Sequence, residues 1–349
     1  MRLKEFESKE IFKKYGITIP KGFLVKSLKD LNKIPFDECV VKAQVLSGKR
    51  GKSGLIKIVD KDKVKTEVSN MLKKNIESVL VEDKIKFDKE SYLSLSLDTF
   101  EKKIVCLFSE EGGIEIESLA KNKSKIVKFF IDDKDSIRKG LAKYPKVAEM
   151  AAILYKIMIE LDAELVEINP LATVGNKMVA LDSKIILDDN ALFRHKEFEK
   201  LKLEQLDEFE RKAWDAELHF VDLDGDVGIV GVGAGLVMAT MDLVNFNGMK
   251  PAFFLDAGGG ASLERMMVAM NIIDKRKPKK VFFNIFGGIT RCDEIATAIV
   301  DYKKKHGLKI PIVVRIIGTN EKEAKKILKE NSINCVDSVE DAMKKLKVI

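Results

Sequence analysis

From Val227 onward the sequence alternates short apolar runs with helical segments, and this alternation restricts the folds open to that half of the chain. The runs are Val227–Val230, Ala252–Leu255, Lys280–Ile285, Ile310–Ile316 and a short one near Asn334–Val336. Helical spacing fills about 235–246, 262–273, 290–304, 320–329 and 338–346. Strands that are apolar throughout are covered on both faces, and strands separated by helices run parallel. The expectation is a doubly wound parallel sheet, with ligands beyond the carboxyl ends of its strands. Three glycine-rich stretches fall at such ends: Gly231-Val232-Gly233-Ala234-Gly235, Asp256-Ala257-Gly258-Gly259-Gly260-Ala261 and Gly287-Gly288-Ile289-Thr290. Each leads into a helix, whose N-terminus favours anions. The first begins like GxGxxG, but Leu236 holds the third glycine position. That departure disfavours a dinucleotide-dependent oxidoreductase.

The first half reads differently. Residues 163–185 form two short strands around Gly175-Asn176, and glycine first suits a type II′ hairpin turn. That turn sets Asn169 opposite Asp182 and Glu167 opposite Lys184, all four on one face. An amide oxygen facing a carboxylate, with a second carboxylate nearby, is hard ligation suited to Mg²⁺. A solvated face whose charges merely pair is the competing reading, and Pro170 or a bulge would shift the register. Upstream, a strand ending near Val45 runs into the basic, glycine-rich stretch 46–54, and a second strand follows. Free N–H groups beside Lys and Arg suit phosphates. It is not a P-loop, because GxxxxGK[ST] fails and a strand follows rather than a helix. Three strands are expected at Ser78–Val81, Glu90–Leu97 and Lys103–Phe108, with Glu82 and Glu90 flanking the first connection. A carboxylate there can accept ribose hydroxyls, though each alone reads as a surface residue. Two helices are expected over 134–161 and a charged amphipathic pair over 195–217.

At 349 residues the chain suits about two domains, taking roughly 150 residues for each. The 62 basic residues are spread among 55 acidic ones, which argues against a nucleic-acid stripe. No apolar run reaches the ~20 residues of a membrane helix. The opening MRLKEFESKE has no apolar signal segment. The four cysteines show no metal or disulfide spacing, so a reducing, cytoplasmic setting is expected. Cys292, at a helix start, has no neighbouring base and reads as packing.

These residues resemble the β subunit of nucleotide-dependent succinate–CoA ligases, the succinyl-CoA synthetases. The likeness runs from MRLKEFESKEIFKKYGITIP through VVKAQVLSGKRGKSG, EGGIEIE, LVEINPL, DDNALFRH, GAGLVMATMD, FFLDAGGGAS and NIFGGITRCDEIA to PIVVRIIGTN. It implies an α/β chain with an ATP-grasp unit over 1–190, a helical linker over 191–225 and a flavodoxin-like CoA-ligase domain over 226–349.

By position, the resemblance implies that Lys42 contacts nucleotide phosphates. Lys49-Arg50-Gly51 matches the family's glycine-rich loop, with Lys49 departing from its usual glycine. Glu82 matches a hinge carboxylate near the base, within a Val81–Phe87 hinge that includes Ile85, and Glu90 one near the ribose. Asn169 and Asp182 match Mg²⁺ ligands, and Glu167 the glutamate facing a phosphohistidine. Gly288-Ile289-Thr290 matches the loop near phosphate and acid, where Thr290 adds a hydroxyl donor. Val232 replaces an asparagine directed toward the acid.

The implied reaction joins an acid to CoA using ATP, or GTP, with Mg²⁺. An α subunit carries the phosphohistidine and the CoA site, and no nucleic acid or membrane is involved. A CoA ligase for malate or another acyl group, a self-sufficient ATP-grasp ligase and a nucleotide-sensing scaffold remain open alternatives.

Overall fold

Antiparallel strands build the first half of the chain and mainly parallel strands the second. The computed structural model describes residues 1–31, 34–46, 53–113 and 126–349. Two units are resolved, Met1–Glu199 and Lys200–Ile349.

The first unit opens with α1 (Glu5–Lys14). Its four-stranded sheet contains β1 (Gly22–Val25), β2 (Glu38–Ala43), β3 (Ile56–Asp60) and β4 (Val79–Asp83), in the order β1-β4-β2-β3. The helix α2 (Lys61–Leu72), not foreseen from the sequence, covers one face. Its Val64, Val68 and Met71 pack against Val41, Val79 and Val81. Gly22 pairs with Glu82, and a Cβ there would lie 2.7 Å from the Glu82 side chain and from the Val81 carbonyl oxygen. Only glycine lets β1 approach β4 so closely.

A six-stranded sheet follows: β5 (Lys89–Asp98), β6 (Lys103–Ser109), β7 (Ile126–Ile131), β8 (Ala163–Val174), β9 (Lys177–Ala180) and β10 (Lys184–Leu187). Its order is β10-β8-β5-β6-β7, with β9 also on β8. Strand β7 was not expected from the sequence. The helices α3 (Lys134–Gly140) and α4 (Pro145–Glu160) follow it. In α4, Val147, Met150, Ala151, Leu154, Ile157 and Met158 are buried at helical spacing.

The hairpin register holds on both sides of a break. Leu171 pairs with Ala180, and Glu167 with Lys184. Gly175 has φ 55°, while Asn176 is not among the positive-φ residues, as a type II′ turn requires. Residues 181–183 leave the ladder, so Asn169 and Asp182 face each other across this interruption and are not a paired rung. The Leu181 amide still donates to the Pro170 carbonyl at 3.1 Å.

The helix α5 (Lys196–Gln205) spans the division between the units. The second unit then contains α6 (Glu208–Asp215), β11 (His219–Asp222), β12 (Val227–Gly231), α7 (Ala234–Phe246), β13 (Pro251–Asp256) and α8 (Leu263–Arg276). It continues with β14 (Lys280–Gly287), α9 (Cys292–His306), β15 (Ile312–Gly318), α10 (Glu321–Glu330), β16 (Asn334–Val336) and α11 (Val339–Val348). Strand order is β11-β13-β12-β14-β15-β16. Without β11 this is the flavodoxin-like order, second-first-third-fourth-fifth, all parallel. Apolar clusters bury both faces of the sheet.

The expected 191–225 linker is corrected here. Residues 200–225 belong to the second unit, and β11 pairs antiparallel with β13 at the sheet edge. Its four residues sit in charged surroundings, which hid their strand character. Among the described residues, no helix is long and apolar enough to cross a membrane.

Candidate nucleotide and acid sites

Four buried charged side chains meet between the two sheets of the first unit. Lys42, on β2, and Glu82, on β4, occupy neighbouring strands of one sheet. Glu5 and Lys9 enter from α1, one helical turn apart. The chain start is fixed to the other sheet by the Leu3 amide, which donates to Ile185 at 3.0 Å, and by an Arg2–Ile186 bridge. The Phe6 amide donates to the Gln44 side-chain oxygen at 2.9 Å, tying α1 to the residue just beyond β2.

The Lys42 ammonium lies 2.7 Å from Glu5 Oε1 and 2.8 Å from Glu82 Oε2. Lys9 lies 2.8 Å from Glu5 Oε1 and 2.6 Å from Glu82 Oε1. Both ammonium groups donate to the Leu181 carbonyl, at 2.6 Å for Lys42 and 2.8 Å for Lys9. Asp182 follows immediately in the hairpin break. None of the four residues is more than 6% exposed. Burial disfavours the charged form of both lysines. For Lys42, attraction by Glu5, Glu82 and Asp182 outweighs burial and holds its pKa above the ordinary lysine value. For Lys9, burial prevails, helped by repulsion from Lys42, and lowers it.

Sequence reasoning singled out Lys42 and Glu82 but missed Glu5 and Lys9. The signal was present: Glu5, Lys9 and Phe12 share the buried face of α1, an unusual place for two charges.

The hairpin contributes the other candidates. Glu167 is half-buried, and the buried Tyr92 hydroxyl lies 3.0 Å from its Oε2. Tyr92, also missed, sits within the apolar alternation of β5 and gave no separate sign. Asn169 Oδ1 accepts the Gly113 amide at 2.8 Å, and Asp182 Oδ1 accepts the Ser183 amide at 2.7 Å. Glu90 lies beside the same loop: a Cβ on Gly113 would fall 2.8 Å from Glu90 Oε1. Ile85 lies in the connection between β4 and β5, partly exposed. Lys49, Arg50 and Gly51 lie outside the described residues.

In the second unit the three glycine stretches meet at the carboxyl ends of β12, β13 and β14. Asp256, at the end of β13 and 6% exposed, binds two of them. Its Oδ1 accepts the Gly233 amide at 2.7 Å and the Gly258 amide at 2.9 Å. The Thr290 hydroxyl accepts the Gly260 amide at 2.9 Å. The Thr319 hydroxyl donates to the Gly288 carbonyl at 2.8 Å. A Cβ on Gly318 would lie 2.1 Å from the Gly287 carbonyl oxygen, so these two backbones can approach only with glycine present.

Thr290 is 2% exposed, and its hydroxyl oxygen accepts from the Gly260 loop, which braces the glycine loops and still leaves its O–H as a donor. Val232 packs partly buried against the core, while Gly288 and Ile289 are exposed at the loop tip. Cys292 is fully buried, with Sγ 3.5 Å from the Ile317 carbonyl, and burial pushes its thiol pKa up. That is packing chemistry, as expected.

Asp256→Ala would leave two amides without their acceptor, at a cost of about 1–3 kcal/mol each. Asp256→Asn keeps an oxygen acceptor and is expected to lose less in denaturant unfolding. Equal losses in the two variants would show that the carboxylate does not hold the loops.

Residues 2–173 match the ATP-grasp domain family and residues 230–349 the CoA-ligase family. The fold and these matches define an ATP-grasp unit followed by a CoA-ligase domain. The "Succinate--CoA ligase [ADP-forming] subunit beta" of Methanocaldococcus jannaschii is 42% identical, covering 99% of both chains. That of Ignicoccus hospitalis is 43% identical, covering 98% of this chain and 97% of its own. A solved ATP citrate lyase from Methanothrix soehngenii, in complex with citrate and coenzyme A, shares the fold. Its TM-score is 0.72 at 18% identity, covering 96% of this chain and 95% of that one. The chain belongs to the family of ADP-forming succinate–CoA ligase β subunits.

Proposed function

We propose that this chain is the nucleotide- and acid-binding subunit of a two-subunit ligase converting succinate, CoA and ATP to succinyl-CoA, ADP and phosphate. The observation that carries the reading is the meeting of Lys42, Glu82 and the Leu181–Asp182 break in one buried cluster of the first unit. Phosphoryl transfer depends mainly on positioning and charge stabilisation, and this cluster offers cations beside hard oxygen atoms. Lys42 supplies the cation for nucleotide phosphates. Glu82, Ile85 and Glu90 serve base and ribose, and Lys49, Arg50 and Gly51 are assigned to the phosphates by the family likeness alone.

Asn169 and Asp182 fit Mg²⁺ by their donor chemistry, one amide and one carboxylate oxygen on facing segments, with other positions left to phosphates and water. When bound, the ion neutralises phosphate charge. Glu167, steadied by Tyr92, faces the incoming carrier. The acid binds over the loops containing Val232, Gly288, Ile289 and Thr290, at the switch point of the parallel sheet. Val232 brings no donor to an acid's carboxylate. Backbone amides of the surrounding loops then have to supply its hydrogen bonds.

The carrier histidine comes from an α subunit. His195 Nε2 lies 2.8 Å from Asp162, His306 stacks on Tyr302, and His219 lies on the β11 edge. None of the three follows a glycine-rich phosphate stretch in the sequence. The isolated chain, incubated with labelled ATP, is therefore expected to acquire no base-stable, acid-labile label. Co-expression with the partner subunit should give label on the partner and turnover with succinate. Unaided turnover would instead support a self-sufficient ligase. A panel including malate and short monocarboxylates, with ATP and GTP, tests the substrate assignment.

A further inference from the structure

Lys42 cannot serve a phosphate in the arrangement seen here. An ammonium has three N–H donors, and three acceptors already surround Lys42 at 2.6–2.8 Å: Glu5, Glu82 and the Leu181 carbonyl. It must release at least one of them to reach a ligand. Releasing a buried carboxylate is costly unless another cation remains beside it. Lys9 is placed to be that cation, because it touches the same two carboxylates and the same carbonyl.

We propose that Glu5 and Lys9 of α1 are positioning residues that store Lys42 when the site is empty and stabilise its carboxylates when it turns to phosphate. Neither residue needs to touch the nucleotide. Glu5 opposes release, since it holds Lys42 back. Lys9 favours release, since it keeps Glu5 and Glu82 paired afterwards. The two therefore act on nucleotide affinity with opposite signs. This rests on the assignment of Lys42 to the nucleotide site.

The test is equilibrium binding of Mg·ADP by calorimetry to the full chain co-purified with its partner subunit. Glu5→Gln removes one anchor from Lys42 and leaves Lys9 and Lys42 balanced by Glu82 and Asp182. It is expected to tighten binding by about tenfold, the scale of one charge-assisted hydrogen bond. Lys9→Met is expected to weaken binding by about tenfold, and Lys9→Arg to restore it. The double variant Glu5→Gln/Lys9→Met should lie between the single variants.

Weaker or unchanged binding in Glu5→Gln overturns the proposal, even if Lys9→Met fails to fold. A loss of affinity in both single variants would mean that the helix matters only for stability. If wild-type protein binds no Mg·ADP, the nucleotide assignment itself fails, which is a different result from equal affinities across the variants.

Discussion

Lys42→Met is expected to destabilise the chain by about 3–5 kcal/mol, the scale measured when one partner of a buried ion pair is removed. The variant leaves Glu5, Glu82 and Asp182 facing Lys9 alone, in a buried cluster where charge is little screened. Activity with the partner subunit should also fall by about 10²–10³-fold, the loss expected if Lys42, once released, donates to the reacting phosphates as proposed. The two effects are separable. Adding Glu5→Gln restores the charge balance and should recover most of the stability in urea unfolding, but none of the activity. Recovery of both together would mean that Lys42 serves the fold and not the chemistry.

Asp182→Ala is expected to behave in the opposite way. Asp182 is partly exposed in the hairpin break, accepts a local hydrogen bond from the Ser183 amide and attracts Lys42 electrostatically. Stability should change by only about 1 kcal/mol. Turnover should fall by about 10²-fold or more, the range seen when one group stabilising transferred charge is removed. Asn169→Ala should follow with a smaller loss, as it removes a neutral ligand. Wild-type rates in Asp182→Ala at limiting Mg²⁺, measured with the partner subunit, would rule out its assignment as a ligand.

The second unit was readable because its apolar runs and helical stretches alternate without interruption, so strand boundaries fell within a few residues of their observed places. The hairpin register was readable because Gly175-Asn176 fixes the turn, and the pairs from Val174–Lys177 to Leu171–Ala180 and from Glu167–Lys184 to Leu165–Ile186 follow from it. The break at 181–183 was not, since nothing in Leu181-Asp182-Ser183 marks a loss of ladder pairing. Strand β7 was hidden because its Ile126, Val127, Phe129 and Phe130 are only partly buried, and α2 because its apolar positions are sparse. The charged quartet was half legible. Lys42 and Glu82 stand out by position, but only tertiary structure brings Glu5 and Lys9 to them from a helix far away in sequence. Thr290 illustrates another limit: a sequence can place a hydroxyl in a loop but cannot say which way it turns.

The sheet of the second unit ends on one side in β11, four residues long, and on the other in β16, three residues long. Unsatisfied edge strands are templates for pairing between molecules, and the hazard grows with their length and flatness. Here both edges are too short to recruit a long partner strand. Asp222 on β11 is also engaged by Arg276, whose guanidinium reaches on to the Leu223 carbonyl at 3.0 Å. The second unit thus carries its own protection against self-association through sheet edges.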